Sequence, residues 1–389
     1  WEDGPPGLRS LRVCSAAVGA LGRATQWRRA LDLFRRVRLS RLRLDAVSVN
    51  VAVAACREAG RWESGLGLLA EARRDGLPPT LVGLNTLLSA CGRAGAWREG
   101  LAALGAAAAE GMLQGWEPDV ISHSTVISAC DRCAQWQPAL ALLSAMRPPL
   151  PPPDAYAFNS TISACGRAGR WELSVELLGR MRRESVLPDV VSLTACLAAC
   201  EAATCWSAAV ALLHGAGRLQ IAPNAASLNA ASGACSRGAQ WHQCLELLRV
   251  MERRGLSPDL ISFNVALSAC ARRGLWQRGL ALLAEAASRR LRPAALTCNL
   301  ALDACKAGGA WRHALSLLAA CHRLRRELDV VGLNTALVAC ARGWAWRCAL
   351  GLLQLMPALA VQPDATSVSA AVAALEQGER GAPGEARLH

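Results

Sequence analysis

Ten tryptophans recur along this chain at a nearly fixed interval: Trp27, Trp62, Trp97, Trp136, Trp171, Trp206, Trp241, Trp276, Trp311 and Trp346. The step is 35 residues throughout, except for one of 39 between Trp97 and Trp136. A period of this size, held nearly from end to end, is the signature of stacked supersecondary modules. Each module is too small to bury its own apolar face and is completed by its neighbours. Eleven such repeats fill all but a few of the 389 residues, so little room remains for another domain.

Within a repeat the apolar spacing is helical, twice over. In the second repeat Ala52, Val53 and Cys56 share one face of a first helix that runs to about Arg57. Gly60 breaks that helix, and Trp62, Leu66, Leu69 and Ala72 continue on a second, which ends at the Asp75–Pro79 segment. Ser48 is placed to cap the first helix, with Val47 before it as a hydrophobic staple. Trp171, Val175, Leu178 and Met181 give the fullest second-helix stripe, which assigns the tryptophans to core packing. Neither helix is stable alone at this length, so stacking must supply the burial.

The expected fold is therefore all-α, a right-handed superhelical solenoid of stacked antiparallel helix pairs. Residues 1–9 are a lead-in, residues 10–375 hold ten full repeats and a partial eleventh, and residues 376–389 form a Gly/Glu/Arg-rich tail expected to be disordered. The third repeat carries four extra residues within Ala106–Asp119, to be absorbed by a longer second helix or a larger loop. Pro148–Pro153 reads as a stiff connector.

Nine of the 17 cysteines occupy one repeat position: Cys56, Cys91, Cys130, Cys165, Cys200, Cys235, Cys270, Cys305 and Cys340. A position repeated in this way is a small core hydrophobe in a reducing compartment rather than half of a disulfide. The net charge of +13 favours a polyanionic partner. No run of 18 apolar residues is present, so membrane insertion is not expected.

A second signal has the same period. Twelve residues before each tryptophan stands Ser15, Asn50, Asn85, Ser124, Asn159, Thr194, Asn229, Asn264, Asn299 or Asn334, and Ser369 continues the series. Five residues earlier, most repeats open on another polar residue: Asp45, Thr80, Asp119, Asp154, Asp189, Asn224, Asp259, Asp329 and Asp364, with a lapse at Ala294. Capping accounts for Ser48 or Ser262 but not for Asn50 or Asn264. An amide presents both a donor and an acceptor, which a base edge can match. Repeated in register, these groups form a ladder along one face.

Three residues before the ladder position lies an apolar side chain: Val47, Val82, Ile121, Tyr156, Val191, Ile261, Leu296 and Val331, with departures at Arg12, Ala226 and Thr366. Flat bases can slot between such side chains. Eight residues after the ladder position come Arg23, Arg93, Arg132, Arg167, Arg237, Arg272 and Arg342, broken by Glu58, Ala202 and Ala307. These arginines could follow a phosphate backbone, or they could simply solvate the turn between the helices.

No HExxH, P-loop, dinucleotide fingerprint or paired metal carboxylates occur, so the chain is not expected to be an enzyme or to hold a metal or cofactor. The single CxxC, Cys130–Cys133, combines a repeated core position with a turn residue.

The strings PDVVSLTACLAAC (Pro188–Cys200), PDLISFNVALSAC (Pro258–Cys270) and ISACGRAGRW (Ile162–Trp171) resemble the pentatricopeptide repeat family, in its class of pure 35-residue repeats. The resemblance covers residues 10–375. It implies single-stranded RNA as partner, read at one base per repeat, and a role in RNA processing, stability, editing or translation. The implied compartment is a mitochondrion or chloroplast before the nucleus, although no targeting segment is visible. It further implies that each ladder residue acts with the polar residue opening the next repeat. On that basis Asn85 with Asp119, Asn159 with Asp189, Asn229 with Asp259, Asn299 with Asp329, and Asn334 with Asp364 would favour uracil. Thr194 with Asn224 would favour adenine, and Ser15 with Asp45 and Ser124 with Asp154 guanine. Asn50 with Thr80 and Asn264 with Ala294 follow no strong rule, which gives a track G-?-U-G-U-A-U-?-U-U. A monomer is expected. A protein-binding scaffold, or an adaptor that brings an RNA-processing enzyme to RNA, is the competing reading.

Overall fold

A computed structural model describes residues 11–24, 26–39, 45–77, 80–114, 118–147, 152–291, 293–323, 329–357 and 361–381. Among these residues every regular element is a helix. The chain forms two compact units, Trp1–Ala199 and Cys200–His389. In the first, helices come in pairs: α1 (Leu11–Arg23) and α2 (Trp27–Leu39), α3 (Ala46–Glu58) and α4 (Trp62–Arg74), α5 (Leu81–Ala94) and α6 (Trp97–Gln114), α7 (Val120–Arg132) and α8 (Trp136–Ala145), α9 (Ala155–Arg167) and α10 (Trp171–Arg183). Helix α11 (Val190–Ala202) contains the division. The second unit continues with α12 (Trp206–Ala216), α13 (Ala225–Arg237) and α14 (Trp241–Arg253), α15 (Leu260–Arg272) and α16 (Trp276–Ser288), α17 (Ala295–Ala307) and α18 (Trp311–Arg323), α19 (Val330–Arg342) and α20 (Trp346–Leu355), and finally α21 (Ala365–Gly381).

Within each unit the first helices stack in succession, α1 to α9 in one and α13 to α21 in the other, and each second helix packs against the first helix of the following repeat. Small side chains set the spacing of that stack. A Cβ added to Gly166 would stand 2.8 Å from the Cβ of Ala199, so bulk at this contact would push the helices apart. The nine recurring cysteines are fully buried along the same stack, and all 17 cysteines are free thiols. Burial pushes the thiols of Cys56, Cys91, Cys130, Cys165, Cys235, Cys270 and Cys305 up to about 11, and that of Cys340 to about 12. They are inert core groups.

The tryptophans depart from the expected core role in part. Each is the first residue of a second helix and only half-buried, while Phe158, Phe263 and leucines fill the deepest sites. The indole lies across the end of the next repeat's first helix. A Cβ on Gly238 would come to 2.5 Å from Trp206, and one on Gly308 to 2.6 Å from Trp276. Arginines cover some outer faces: Arg61 lies 5.1 Å from the Trp27 ring and Arg170 5.4 Å from the Trp136 ring.

The turn between paired helices is equally regular. The carbonyl of the recurring cysteine accepts the N–H of the residue before the tryptophan, as in Cys165 from Arg170 at 2.9 Å and Cys235 from Gln240 at 2.8 Å. That bond closes over a left-handed residue. Gly60, Gly95, Gly169, Gly274 and Gly309 supply it in five repeats, but Ala134 (φ 53°), Thr204 (φ 60°), Ala239 (φ 54°) and Trp344 (φ 60°) supply it in others.

The third repeat absorbs its insertion by extension, since α6 has 18 residues where the second helices of neighbouring repeats have 13 or 10. The tail expected from Glu376 begins later, because α21 continues to Gly381. Glu376, Gln377, Glu379 and Arg380 are ordinary helix formers, and they carry the helix through Gly378 to Gly381. The lead-in, most of the Pro148–Pro153 connector and residues 382–389 lie outside the described residues.

Thr204→Gly removes a β-branched side chain from a left-handed position and is expected to stabilise the protein by about 1 kcal/mol. The check is an upward shift of the urea midpoint followed by far-UV circular dichroism.

Candidate nucleic-acid interface

The residue that opens each repeat is the helix N-cap. The side chains of Asp45, Thr80, Asp119, Asp154, Asn224, Asp259 and Asp329 accept the N–H three residues on. Asp189 accepts that of Ser192 and Asp364 that of Ser367, both at 2.8 Å. This corrects the assignment of Ser48 and Ser262 as caps. Both are the third helical residue and bond back to Asp45 and Asp259. Val47 is accordingly the second helical residue, 63% exposed, and staples nothing. A serine followed by apolar spacing resembles a cap in sequence, but a carboxylate three residues earlier starts the helix and takes the serine's own N–H.

The ladder residue sits five positions after the cap, and the fold brings it to the cap of the next repeat. The amide Nδ2 donates to the next Asp Oδ1 at Asn85–Asp119 (3.3 Å), Asn159–Asp189 (3.3 Å), Asn229–Asp259 (3.4 Å), Asn299–Asp329 (3.1 Å) and Asn334–Asp364 (3.0 Å). Ser124 donates to Asp154 at 3.2 Å, and Thr80 donates to Asn50 at 3.0 Å. Seven of the pairs inferred from sequence are thus in direct contact.

Three ladder positions remain. Ser15 bonds Ser48 at 3.0 Å, and Asp45 caps α3. Thr194 donates its hydroxyl to the Val190 carbonyl at 2.7 Å, and Asn224 caps α13. Where Ala294 replaces the acid, α17 has no side-chain cap, and the buried Asn264 Oδ1 and Thr297 Oγ1 have no hydrogen-bond partner among the described residues.

These contacts fix the charge of the caps. Burial raises the carboxyls of Asp119, Asp189 and Asp259. The backbone and side-chain bonds from Ser122, Ser192 and Ser262, and the facing asparagine amides, outweigh it and hold all three below the ordinary carboxylate range. Asp364 is depressed as well, first by the Thr366 hydroxyl and then by the Ser367 backbone and hydroxyl. These four cap aspartates are anions throughout the neutral range.

Beside the ladder, eight large apolar side chains stand in solvent. Val47, Val82, Ile121, Tyr156, Val191, Ile261, Leu296 and Val331 are 56–63% exposed, each at the second position of its helix. Most other large apolar side chains in the helices are buried or half-buried, with Val13, Leu66, Leu355, Val368 and Val372 exposed at 45–53%, and only this position is exposed repeat after repeat. Packing does not account for it.

The arginine series lies at the last residue of the first helices, or one before it at Arg93, where cations complement the helix dipole. Arg93, Arg167 and Arg237 pair with Glu58, Asp131 and Glu201 at 2.8, 3.4 and 3.3 Å, and Arg132 donates to the Gly92 carbonyl at 3.2 Å. Arg23, Arg272 and Arg342 are exposed, with no carboxylate at salt-bridge distance among the described residues. Cys133 of the CxxC faces the Gly95 carbonyl. No metal-binding group of His, Cys, Asp or Glu occurs among the described residues, and no helix there is long and apolar enough to cross a membrane.

The model of the pentatricopeptide repeat matches residues 156–186, and that of the pentatricopeptide repeat domain matches residues 212–309. Both segments contain a ladder asparagine and the recurring cysteine in phase, and the second also contains the caps Asn224 and Asp259. These two segments are pentatricopeptide repeats. No curated protein matches it by sequence. Among solved structures, the pentatricopeptide repeat protein PPR10 from maize superposes with a TM-score of 0.73 and 24% identity, over 98% of this chain and 54% of that one. PPR10 in complex with an 18-nt psaJ RNA element gives a TM-score of 0.54 and 20% identity, over 97% of this chain and 58% of that one. This pentatricopeptide array thus spans little more than half the length of those chains.

Sequence reasoning missed the third helical residue. Ser122, Ser192, Ser262 and Ser367 each reach back to the preceding ladder asparagine. The available signal was the restriction of that position, from the second repeat onward, to Ser, Gly, Ala and Thr.

Ala294→Asp supplies the missing cap and is expected to raise stability by about 1 kcal/mol at pH 7. With a pKa lowered as at Asp259, the gain is fully present above the ordinary carboxylate value and is lost as pH falls through the lowered one. Denaturant midpoints of variant and parent should therefore differ at pH 7 and converge in strong acid.

Proposed function

We propose that the chain binds single-stranded RNA, one base per repeat, through the ladder-and-cap pairs. The observation that carries this reading is the contact of five ladder asparagines with the next repeat's cap aspartate, most of them flanked by the exposed apolar residue at helix position two. At such a step the amide spends one N–H on Oδ1, which leaves its second N–H as a donor. The recorded bonds of Asp189 all end on Oδ1, so Oδ2 is left as a charged acceptor. One donor beside one acceptor matches a pyrimidine edge. The preference for uracil over cytosine is what the family resemblance adds. The apolar residues of successive repeats provide the faces between which a base stacks.

The net charge of +13 supports attraction to a phosphate backbone. Arg23, Arg272 and Arg342 are the phosphate contacts this reading favours, because Arg93, Arg167 and Arg237 already face carboxylates. PPR10 in its RNA complex shows that a fold of this type accommodates an RNA strand. The role that follows is in RNA processing, stability, editing or translation within an organelle, with the chain as the reader and any chemistry supplied by a partner enzyme.

The test is a ten-nucleotide RNA of sequence GNUGUAUNUU against an all-adenine decamer. The first is expected to bind at least ~10-fold more tightly, on the scale of two or more base contacts. Equal binding overturns the reading. Changing Thr194→Asn together with Asn224→Asp is expected to move the preference at the sixth base from adenine to uracil.

A further inference from the structure

The five Asn–Asp pairs look identical in sequence, but the structure divides them by the third residue of the helix that the aspartate caps. At four of them that residue is serine. Its hydroxyl faces the asparagine Oδ1 at 2.6 Å (Ser122 to Asn85), 2.5 Å (Ser192 to Asn159), 2.7 Å (Ser262 to Asn229) and 2.5 Å (Ser367 to Asn334). The same hydroxyl lies 2.8–2.9 Å from the cap aspartate Oδ1, so its one proton sits between two acceptors. The amide is then held at both ends, Nδ2 by the carboxylate and Oδ1 by the serine. A flipped amide would set oxygen against carboxylate. At Asn85, Asn159 and Asn229 the aspartate contributes only Oδ1 to the pair, and Oδ2 stays outward.

At the fifth pair the third residue is Gly332. No hydroxyl is present, and the Asn299 Oδ1 occupies the vacated space, 2.6 Å from where a Cβ would stand. The amide has turned so that Nδ2 meets both oxygens of Asp329, at 3.1 and 2.9 Å. The acceptor that the other pairs present outward is engaged here. Gly83 shows the same occupation by Asn50 Oδ1 at 2.6 Å, and Thr80 rather than an acid caps that helix.

We propose that the third helical residue is a positioning residue for base choice. Serine there locks the preceding asparagine so that the pair presents one donor and one acceptor, whereas glycine lets the amide turn and consume the acceptor. This rests on the base-reading function proposed above and deepens it. Two steps with the same Asn–Asp pair discriminate differently, according to a side chain that never touches RNA.

The first experiment needs no variant. Binding of the intact chain is measured to GNUGUAUNUU and to RNAs carrying cytosine or adenine at base five, opposite Asn159–Asp189, or at base nine, opposite Asn299–Asp329. Discrimination at base five is expected to exceed that at base nine by about five-fold, the scale of one neutral hydrogen bond. Equal discrimination at the two bases overturns the proposal. No discrimination at either base overturns the base-reading function itself, and the proposal with it. The second experiment uses Ser192→Gly, Ser192→Thr and Gly332→Ser. Ser192→Gly should bring base five down to the level of base nine, Ser192→Thr should keep it, and Gly332→Ser should raise base nine. Affinity for a mismatched control RNA and the thermal midpoint separate this from loss of the cap. If Ser192→Gly discriminates at base five as the parent does, the positioning role is wrong. If it does not fold, Gly332→Ser decides the same question.

Discussion

The carboxylate that starts one helix also holds the side chain of the repeat before it, and much of the architecture hangs on that shared oxygen. A single Asp Oδ1, as at Asp189, takes a backbone N–H, a serine hydroxyl and an asparagine amide from the neighbour. The first bond belongs to the helix, and the last crosses between repeats. Because each repeat is two short helices, neither persistent alone, such ties act together with the buried Ala–Cys stack to make the array cohere. Where the acid is missing, at Ala294, two buried polar atoms are left without partners at the same place.

The same geometry explains why the surface beside the caps is apolar. The second helical position points away from the stack, so nothing in folding asks for Val47, Ile121 or Leu296 there. A hydrophobe at such a place is unfavourable in water unless something flat covers it. The arginines behave in the opposite way. Three of the seven are balanced by an acid one repeat back, which makes them part of the protein's own electrostatics as much as a welcome for phosphate.

The period and the helix pairs were legible in sequence because register is visible there, whereas the pairing of Asn159 with Asp189 came only through the family resemblance. What escaped was local. Ser48 looked like a cap because serine, then spacing, is what a cap looks like, and only the backbone shows that Asp45 takes the N–H first. The tryptophans were assigned to the core by size, but a residue at the first helical position next to a turn can bury only one face of an indole. The last helix outran its expected end because helix propensity persists after the apolar stripe has faded, and α21 continues to Gly381. The left-handed turn residues were legible where they are glycine and silent at Thr204 and Trp344, where the repeat's geometry overrides the residue's preference.

The position opening each repeat holds only Asp, Asn and Thr, apart from the lapse at Ala294. Those are the side chains that terminate a helix well, together with serine. If the same residue also takes part in choosing a base, the vocabulary available for recognition was set beforehand by helix chemistry. A lysine or glutamine might suit a given base edge better, yet either would leave a helix start unbonded in every repeat that used it. The array's repertoire is therefore narrow at this site for a reason unrelated to RNA. Variety must come from the ladder residue or from the small residue behind it.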